Sequence, residues 1–249
     1  MSVEVHNLNL PAPPPLRLAG TALFLDIDGT IAPIAARPQD VRADPRRTRL
    51  LDQLKARLDG RLAVISGRTL ADIDRILEGR IVCVAAVHGL VRRGGDGRVH
   101  DLPPHPALGQ AISAFRTFAA RDPGLIVEEK GASVALHYRT ARAYAAEARV
   151  LARRLADETG LALQDGDLVE ELRTPGPDKG DSIRGFMETP AFRGACPVFA
   201  GDDVTDEHGF AEVRRQGGFG VLVGRSRPTA AGFGLRGVED LLAWLEGAT

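Results

Sequence analysis

Lysine is the scarcest charged residue of this chain: only Lys55, Lys130 and Lys179 stand among its 32 basic residues. Arginine supplies the cation almost everywhere else. A chain that avoids lysine keeps it where a compact ammonium is required. Cysteine is rarer still. Cys83, in IVCVAAV, and Cys196, in GACPVF, have neither metal-ligand spacing nor a disulfide framework. Their small and apolar neighbours mark both as buried, inert packing residues. No apolar run is long enough to cross a bilayer. The N-terminal MSVEVHNLNLPAPPPLRLAG lacks the apolar core of a signal peptide. Excess charge is missing too. A net charge of -1 gives no whole-molecule field to gather nucleic acid or an anionic membrane. The expectation is a cytoplasmic, monomeric protein whose partner is a small molecule, held by local charge.

What the chain does have is a series of short apolar segments. Its 249 residues, 44% hydrophobic and 26% charged, suit one large domain or a core with a smaller insert. Residues 1 to about 20 read as irregular, because PAPPP at 11–15 rules out a helix. ALFLDI (22–27), LAVIS (62–66) and IVCVAAV (81–87) read as buried strands. Leu50, Leu51, Leu54 and Leu58 follow helical spacing. Thr69 can cap a further helix, with Asp72 three residues on. Ile73, Ile76 and Leu77 form its apolar stripe, and Gly79 ends it. PVFAGDD (197–203) and GVLV (220–223) repeat the strand pattern, and a last helix carries Leu241, Leu242 and Leu245. Strand and helix alternate, as in a doubly wound parallel α/β sheet.

The alternation pauses near DLPPHP (101–106). After a helix, LIVEEKGASVALHYR (125–139) sets Val134, Leu136 and Tyr138 against Ala135, His137 and Arg139, an amphipathic strand pattern. An Ala-Arg helix follows over about 141–159, and LALQDGDLVEELR (161–173) reads as a β-hairpin. Helix, two strands, helix, two strands implies an inserted α+β unit with an antiparallel sheet. TPGPDKG (174–180) returns the chain to the core. The expected division is a discontinuous core of 1–103 and 175–249, with an insert at 104–174.

Four segments carry chemistry. Asp26-Ile-Asp28-Gly-Thr30 lies at the carboxyl end of a strand, the edge where open α/β sheets bind ligands. Two carboxylates so close are costly to hold unless a cation neutralises them. Asp26 can attack phosphorus, and Asp28 can protonate a leaving oxygen and later activate water. Gly29 lets the chain turn, and Thr30 can fix that turn. The plainer reading is an acidic loop capping the next segment. Gly201-Asp202-Asp203-Val-Thr205-Asp206-Glu207 brings a second acidic cluster to the same edge, where carboxylate oxygens favour a hard cation such as Mg²⁺. Its plainer reading is an N-cap for the following helix. Ser66-Gly67-Arg68 offers a hydroxyl, backbone amides and a guanidinium to a phosphoryl group, or is simply a strand-to-helix turn. Lys179 can pair with Asp26 and the transferring phosphoryl, or is a surface lysine.

The order DxDGT, SGR, Lys, GDDxTDE resembles the haloacid dehalogenase-like (HAD) phosphatase superfamily, over about residues 22–245. Within it, GDDVTDE, Glu128-Glu-Lys130, His137-Tyr-Arg139 and Glu171, eight residues before Lys179, are similar to the trehalose-6-phosphate phosphatase family. The resemblance implies a HAD-like core, a mobile α/β cap that reads the sugar, and hydrolysis of trehalose 6-phosphate through an aspartyl-phosphate. It implies Asp26 as nucleophile and Asp28 as acid and base, with Lys179 assisting. Mg²⁺ would be held by Asp26, the main-chain carbonyl of Asp28, and Asp202, with Asp206 nearby. Thr30, Ser66, Arg68 and Lys179 would hold the phosphoryl oxygens. Glu128, Lys130, Glu171 and Arg139 would contact the sugar phosphate. His88, in AVHGL, departs from the family's A-E-H-G because Val87 replaces the acid, so no role is assigned to it. His137 is read as a structural histidine. The competing readings are a phosphatase or phosphomutase for another sugar phosphate, a catalytically silent sugar-phosphate sensor, and a purely structural α/β protein.

Overall fold

Neighbouring residues on a strand point to opposite faces of a sheet. In the computed structural model of the chain, β1 (Thr21–Leu25) is buried on both faces. Leu23 and Leu25 join one hydrophobic cluster, while Ala22 and Phe24 join another. Such a strand needs helices above and below it. The structure describes residues 10–249; positions 1–9 of the expected irregular N-terminus lie outside the described residues.

The chain continues through α1 (Pro45–Arg57), β2 (Leu62–Ile65), α2 (Leu70–Leu77), β3 (Cys83–Ala86), β4 (Val91–Arg93) and β5 (Val99–Asp101). Then come α3 (Leu108–Ala119), β6 (Ile126–Glu129), β7 (Ser133–His137), α4 (Ala145–Thr159), β8 (Ala162–Gly166) and β9 (Val169–Arg173). The last part holds α5 (Lys179–Met187), β10 (Cys196–Gly201), α6 (Glu207–Arg215), β11 (Phe219–Val223), β12 (Phe233–Leu235) and α7 (Val238–Glu246). The large sheet runs β12-β11-β10-β1-β2-β3-β4-β5. Its first six strands are parallel, and β4 and β5 add an antiparallel end. Leu50 and Leu54 of α1, Ile73 and Ile76 of α2, and Leu241 and Leu245 of α7 cover one face. Ile183 and Phe186 of α5, with Phe210 and Val213 of α6, cover the other. There Phe24 and Phe186 each pack against Phe192, with ring centroids 5.6 and 5.7 Å away. Burying each such ring is worth ~1.5–3 kcal/mol.

A second, antiparallel sheet runs β6-β7-β9-β8. As the alternation predicts, Val134, Leu136 and Tyr138 pack on Phe115 of α3 and on Ala148, Ala152 and Leu155 of α4. The other face carries Glu128, His137 and Glu171 toward the large sheet's edge. The fold is therefore a doubly wound α/β core with an α/β cap. Among the described residues, no helix is long and apolar enough to cross a membrane.

Several local expectations are corrected. The third strand stops at Ala86, and Val87–Gly89 form a tight 3₁₀ turn with Val87 at φ 48° and His88 at φ 57°. Residues 91–101 form the unforeseen β4–β5 hairpin, because GGDG at 94–97 supplies the turn. Helix α2 ends one residue early: Glu78 takes φ 52° before Gly79, its carboxylate held by the Thr48 hydroxyl at 2.6 Å. Arg139 lies beyond β7 rather than on it. Cys83 is buried, but Cys196 is exposed, as the first residue of β10.

Candidate active site

β10, β1 and β2 lie side by side, and the residue that follows each carries a polar group to one edge: Asp202, Asp26 and Ser66. The Asp26 amide donates to the Ala200 carbonyl at 3.0 Å, which continues the sheet pairing to the first carboxylate. Beyond it, the amides of Thr30, Ile31 and Ala32 converge on the Ile27 carbonyl. This tight turn needs Gly29 twice over. Its φ is 72°, and a Cβ there would sit 1.9 Å from Asp202 Oδ2.

Lys179 enters from the opposite side. Asp178 and Asp181 form a capping box that starts α5 and sets Lys179 as its first residue. Its Nζ donates to Asp26 Oδ1 at 3.1 Å and to Asp206 Oδ1 at 2.6 Å. The other oxygen of Asp206 accepts the Asp202 and Asp203 amides, each at 2.9 Å. Asp206 is fully buried, and both its oxygens are engaged. It therefore holds the GDD loop and aims the lysine.

Burial pushes the Asp26 carboxyl up to about 7 against the pull of Lys179, with Asp206 and Asp28 adding to the rise. Burial also pushes Asp202 up, to about 9, helped by the charges of Asp26 and Asp206. Burial disfavours the Lys179 ammonium, but Asp206 and then Asp26 outweigh that, and the lysine stays charged. Asp26, Asp202 and Asp206 each offer a carboxylate oxygen, all within 4.8 Å of one another. One ammonium does not neutralise this set. An all-oxygen, over-charged cluster fits a hard divalent cation.

Asp28 is treated differently. Arg68 grips it with both arms, Nε to Oδ2 at 2.6 Å and Nη2 to Oδ1 at 2.7 Å. Burial opposes the charge on Arg68, yet the Asp28 pairing holds it above the ordinary arginine range. The remaining nitrogen, Nη1, donates to the Pro38 carbonyl at 2.9 Å. Arg68 thus holds Asp28 in this arrangement; the sequence points it at a phosphoryl group. Ser66 is buried, and its hydroxyl accepts the Arg68 amide at 3.3 Å.

The cap closes over this edge. Gln164, Glu128 and Glu171 sit on facing positions of β8, β6 and β9, joined through Ala135 and the β8–β9 register. Glu171 is buried and accepts from Lys130 Nζ at 2.7 Å and the Ser133 hydroxyl at 2.6 Å. Its burial raises the carboxyl, but Lys130 and then His88 pull it well below the usual range. Glu128 pairs with His137 at 2.8 Å and lies 3.8 Å from Lys130. Together core and cap enclose a cavity of about 190 Å³.

Asp26, Asp28, Ser66, Arg68, Lys179 and Asp202 meet Glu128, Lys130, Arg139 and Glu171 around that cavity. Two residues fall outside the lining. Thr30 is fully buried and directs its hydroxyl to Asp202 Oδ1 at 3.4 Å. Asp206 lies behind Lys179. Arg139 pairs with Asp167 in the β8–β9 turn at 3.0 Å. Glu207, the last acid of GDDVTDE, points away to Arg227 and the Ala230 amide. Sequence reasoning missed Gln164 and Asp203 in the lining and gave no role to His88. Gln164 was traceable, since the expected hairpin pairs it with Glu171.

Comparison with known proteins shows the family. A trehalose-phosphatase family model matches residues 24–239. The trehalose-6-phosphate phosphatase of Escherichia coli (strain K12) is 39% identical over 227 residues, covering 90% of this chain and 85% of that protein. A probable trehalose-phosphate phosphatase of Sinorhizobium fredii is 36% identical, covering 90% and 88%. A solved trehalose-6-phosphate phosphatase related protein superposes with a TM-score of 0.74 at 27% identity, covering 90% of this chain and 95% of its own.

Proposed function

This chain belongs to the trehalose-phosphatase family, and from that premise we propose that it hydrolyses trehalose 6-phosphate to trehalose and phosphate, with Asp26 as nucleophile. The observation that carries the reading is one cavity with two chemistries. A nucleophile-and-cation set lies on its floor, and a carboxylate-and-lysine set lies on its roof. Carboxylates on the roof suit a polyhydroxylated ligand, because they accept from hydroxyls that an apolar pocket would read poorly.

Phosphate monoesters resist hydrolysis because a dianion repels an anionic nucleophile and because the leaving alkoxide needs a proton. Lys179 addresses the first, its ammonium lying on Asp26 Oδ1. An Asp26 oxygen attacks phosphorus, and the bond from phosphorus to the sugar oxygen breaks as Asp28 gives that oxygen a proton. Asp28 then takes a proton from water, the water oxygen attacks the phosphorus of the aspartyl-phosphate, and phosphate leaves Asp26. In the present arrangement both Asp28 oxygens accept from Arg68. Donating a proton in the first step requires that fork to open. The Ser66 hydroxyl and the Gly67 amide offer donors to the phosphoryl oxygens. A Mg²⁺-class cation would be held by Asp26, Asp202 and the Asp28 main-chain oxygen, and when bound it supplies the positive charge that the acidic cluster and the phosphoryl group share.

The test is phosphate release from purified protein with Mg²⁺. The substrates are trehalose 6-phosphate, sucrose 6-phosphate, glucose 6-phosphate and mannose 6-phosphate, with an EDTA control. Strong preference for trehalose 6-phosphate, abolished by EDTA, is the expected outcome. Preference for another sugar would overturn the substrate, and activity undiminished by EDTA would overturn the metal.

A further inference from the structure

The mechanism leaves one buried polar ring unused. His88 lies in the core, 9% exposed, and lines the cavity between core and cap. Among the described residues, neither of its nitrogens has a partner within direct hydrogen-bond distance. Nδ1 is buried without a partner among the described residues. Nε2 is 3.6 Å from Glu171 Oε2, too far for one. A buried imidazole in that condition is unfavourable by ~1–3 kcal/mol. The backbone adds to this: Val87 and His88 both take positive φ, 48° and 57°, and a β-branched residue there is strained.

The surroundings hold the ring where it is. The Val87 amide donates to the Arg68 carbonyl and the His88 amide to the Ser66 carbonyl, each at 2.9 Å. The turn is thus tied to the loop that follows β2. At Gly67 any Cβ would stand 2.2 Å from His88 Nε2, so the ring lies directly on that loop's backbone. His88 is buried enough to stay neutral: burial lowers its pKa more than Glu171 raises it. A neutral imidazole offers one donor and one acceptor.

We propose that His88 is a substrate-positioning residue, in which its imidazole and Glu171 bind one sugar hydroxyl between them, from the core side and the cap side of the cavity. A hydroxyl both donates and accepts, so it can bridge a donor nitrogen and a carboxylate oxygen that stand 3.6 Å apart. Neither partner completes the contact while the cap is open, because His88 belongs to the core and Glu171 to β9. The contact reads the sugar and not the phosphate. This inference rests on the sugar-phosphatase reading above.

The experiment compares His88→Ala and His88→Gln with the unmodified enzyme, on trehalose 6-phosphate and on p-nitrophenyl phosphate, which has no sugar. Wild-type turnover of trehalose 6-phosphate is the control for the function itself. If another sugar phosphate is preferred, that reading falls, and the same comparison is made on the preferred sugar. For His88→Ala we expect kcat/KM on the sugar phosphate to fall ~10–100-fold, mostly through KM, with p-nitrophenyl phosphate changed less than ~3-fold. His88→Gln, whose amide retains a donor and an acceptor, should recover much of the loss. Circular dichroism and melting temperature establish that each variant is folded; should the alanine variant not fold, His88→Gln against His88→Leu makes the same comparison. Equal losses on both substrates, or no loss on the sugar phosphate, would overturn the proposal.

Discussion

At the scale of single residues, the site is governed by how few cations its core carboxylates share. Lys179 serves both Asp26 and Asp206, and among the described residues the Asp202 carboxylate has only the Thr30 hydroxyl at 3.4 Å. Replacing Asp26 by asparagine keeps the shape and removes the nucleophile. We expect turnover to fall by roughly 10³-fold or more with an unchanged circular dichroism spectrum. Near-normal phosphate release from that variant would eliminate the assignment. Asp206 makes a subtler case. It touches no part of the cavity, yet it accepts from Lys179 and from two amides of the GDD loop. Asp206→Asn should therefore weaken Mg²⁺ binding ~10–100-fold, as loss of a supporting shell does. Titration of activity with Mg²⁺ checks this, and an unshifted midpoint would show that Asp206 is only a packing residue.

At the scale of elements, α5 and α6 are joined by one acid. Glu212 on α6 is buried and accepts from Arg215, Arg184 of α5 and Gln216. Those bonds, Arg215 first, draw its carboxyl down to about 2 from 4.5. A depressed acid contributes stability above its unfolded pKa, and that contribution is lost as pH falls from 4.5 toward 2. Glu212→Gln should cost ~1–3 kcal/mol near pH 7, and the difference should vanish near pH 2. Urea titrations at both pH values decide it. The elements themselves were largely legible. Leu23 and Phe24 are both buried in a strand with no polar face, and that continuous apolar run announces a parallel sheet. Val134, Leu136 and Tyr138 gave the cap sheet its inner face by alternation. Two of the misses, the end of α2 and the end of the third strand, share a cause. Glu78, Val87 and His88 take left-handed backbone without being glycine, and only tertiary partners hold them there, so no local pattern signals it. In the site, the spacing of Asp26, Asp202 and Lys179 carried most of the message. That Arg68 would face Asp28, 40 residues away, depends on the packing of loops after different strands.

At the scale of the whole molecule, the cavity lies where two sheets meet. The seam joins His88 to Glu171 and sets β8 against the 3₁₀ turn Val204–Asp206. At Gly166, a Cβ would meet Val169 at 2.7 Å and Asp203 at 3.7 Å. Gly166→Val should hold the seam open. A displacement near 1 Å is enough to cost up to ~10²-fold, so kcat/KM for the sugar phosphate should drop while p-nitrophenyl phosphate is spared. Equal rates on the sugar phosphate would mean that the seam tolerates the wedge.

The shortage of lysine has a practical corollary. Lys130 and Lys179 are buried inside the cavity's walls, and Lys55, on α1, is exposed and lies outside that cavity. Apart from the terminal amine, a reagent that tags amines would find one side chain to react with. Enzyme tethered to a bead through Lys55 would be held at a point outside the cavity's lining.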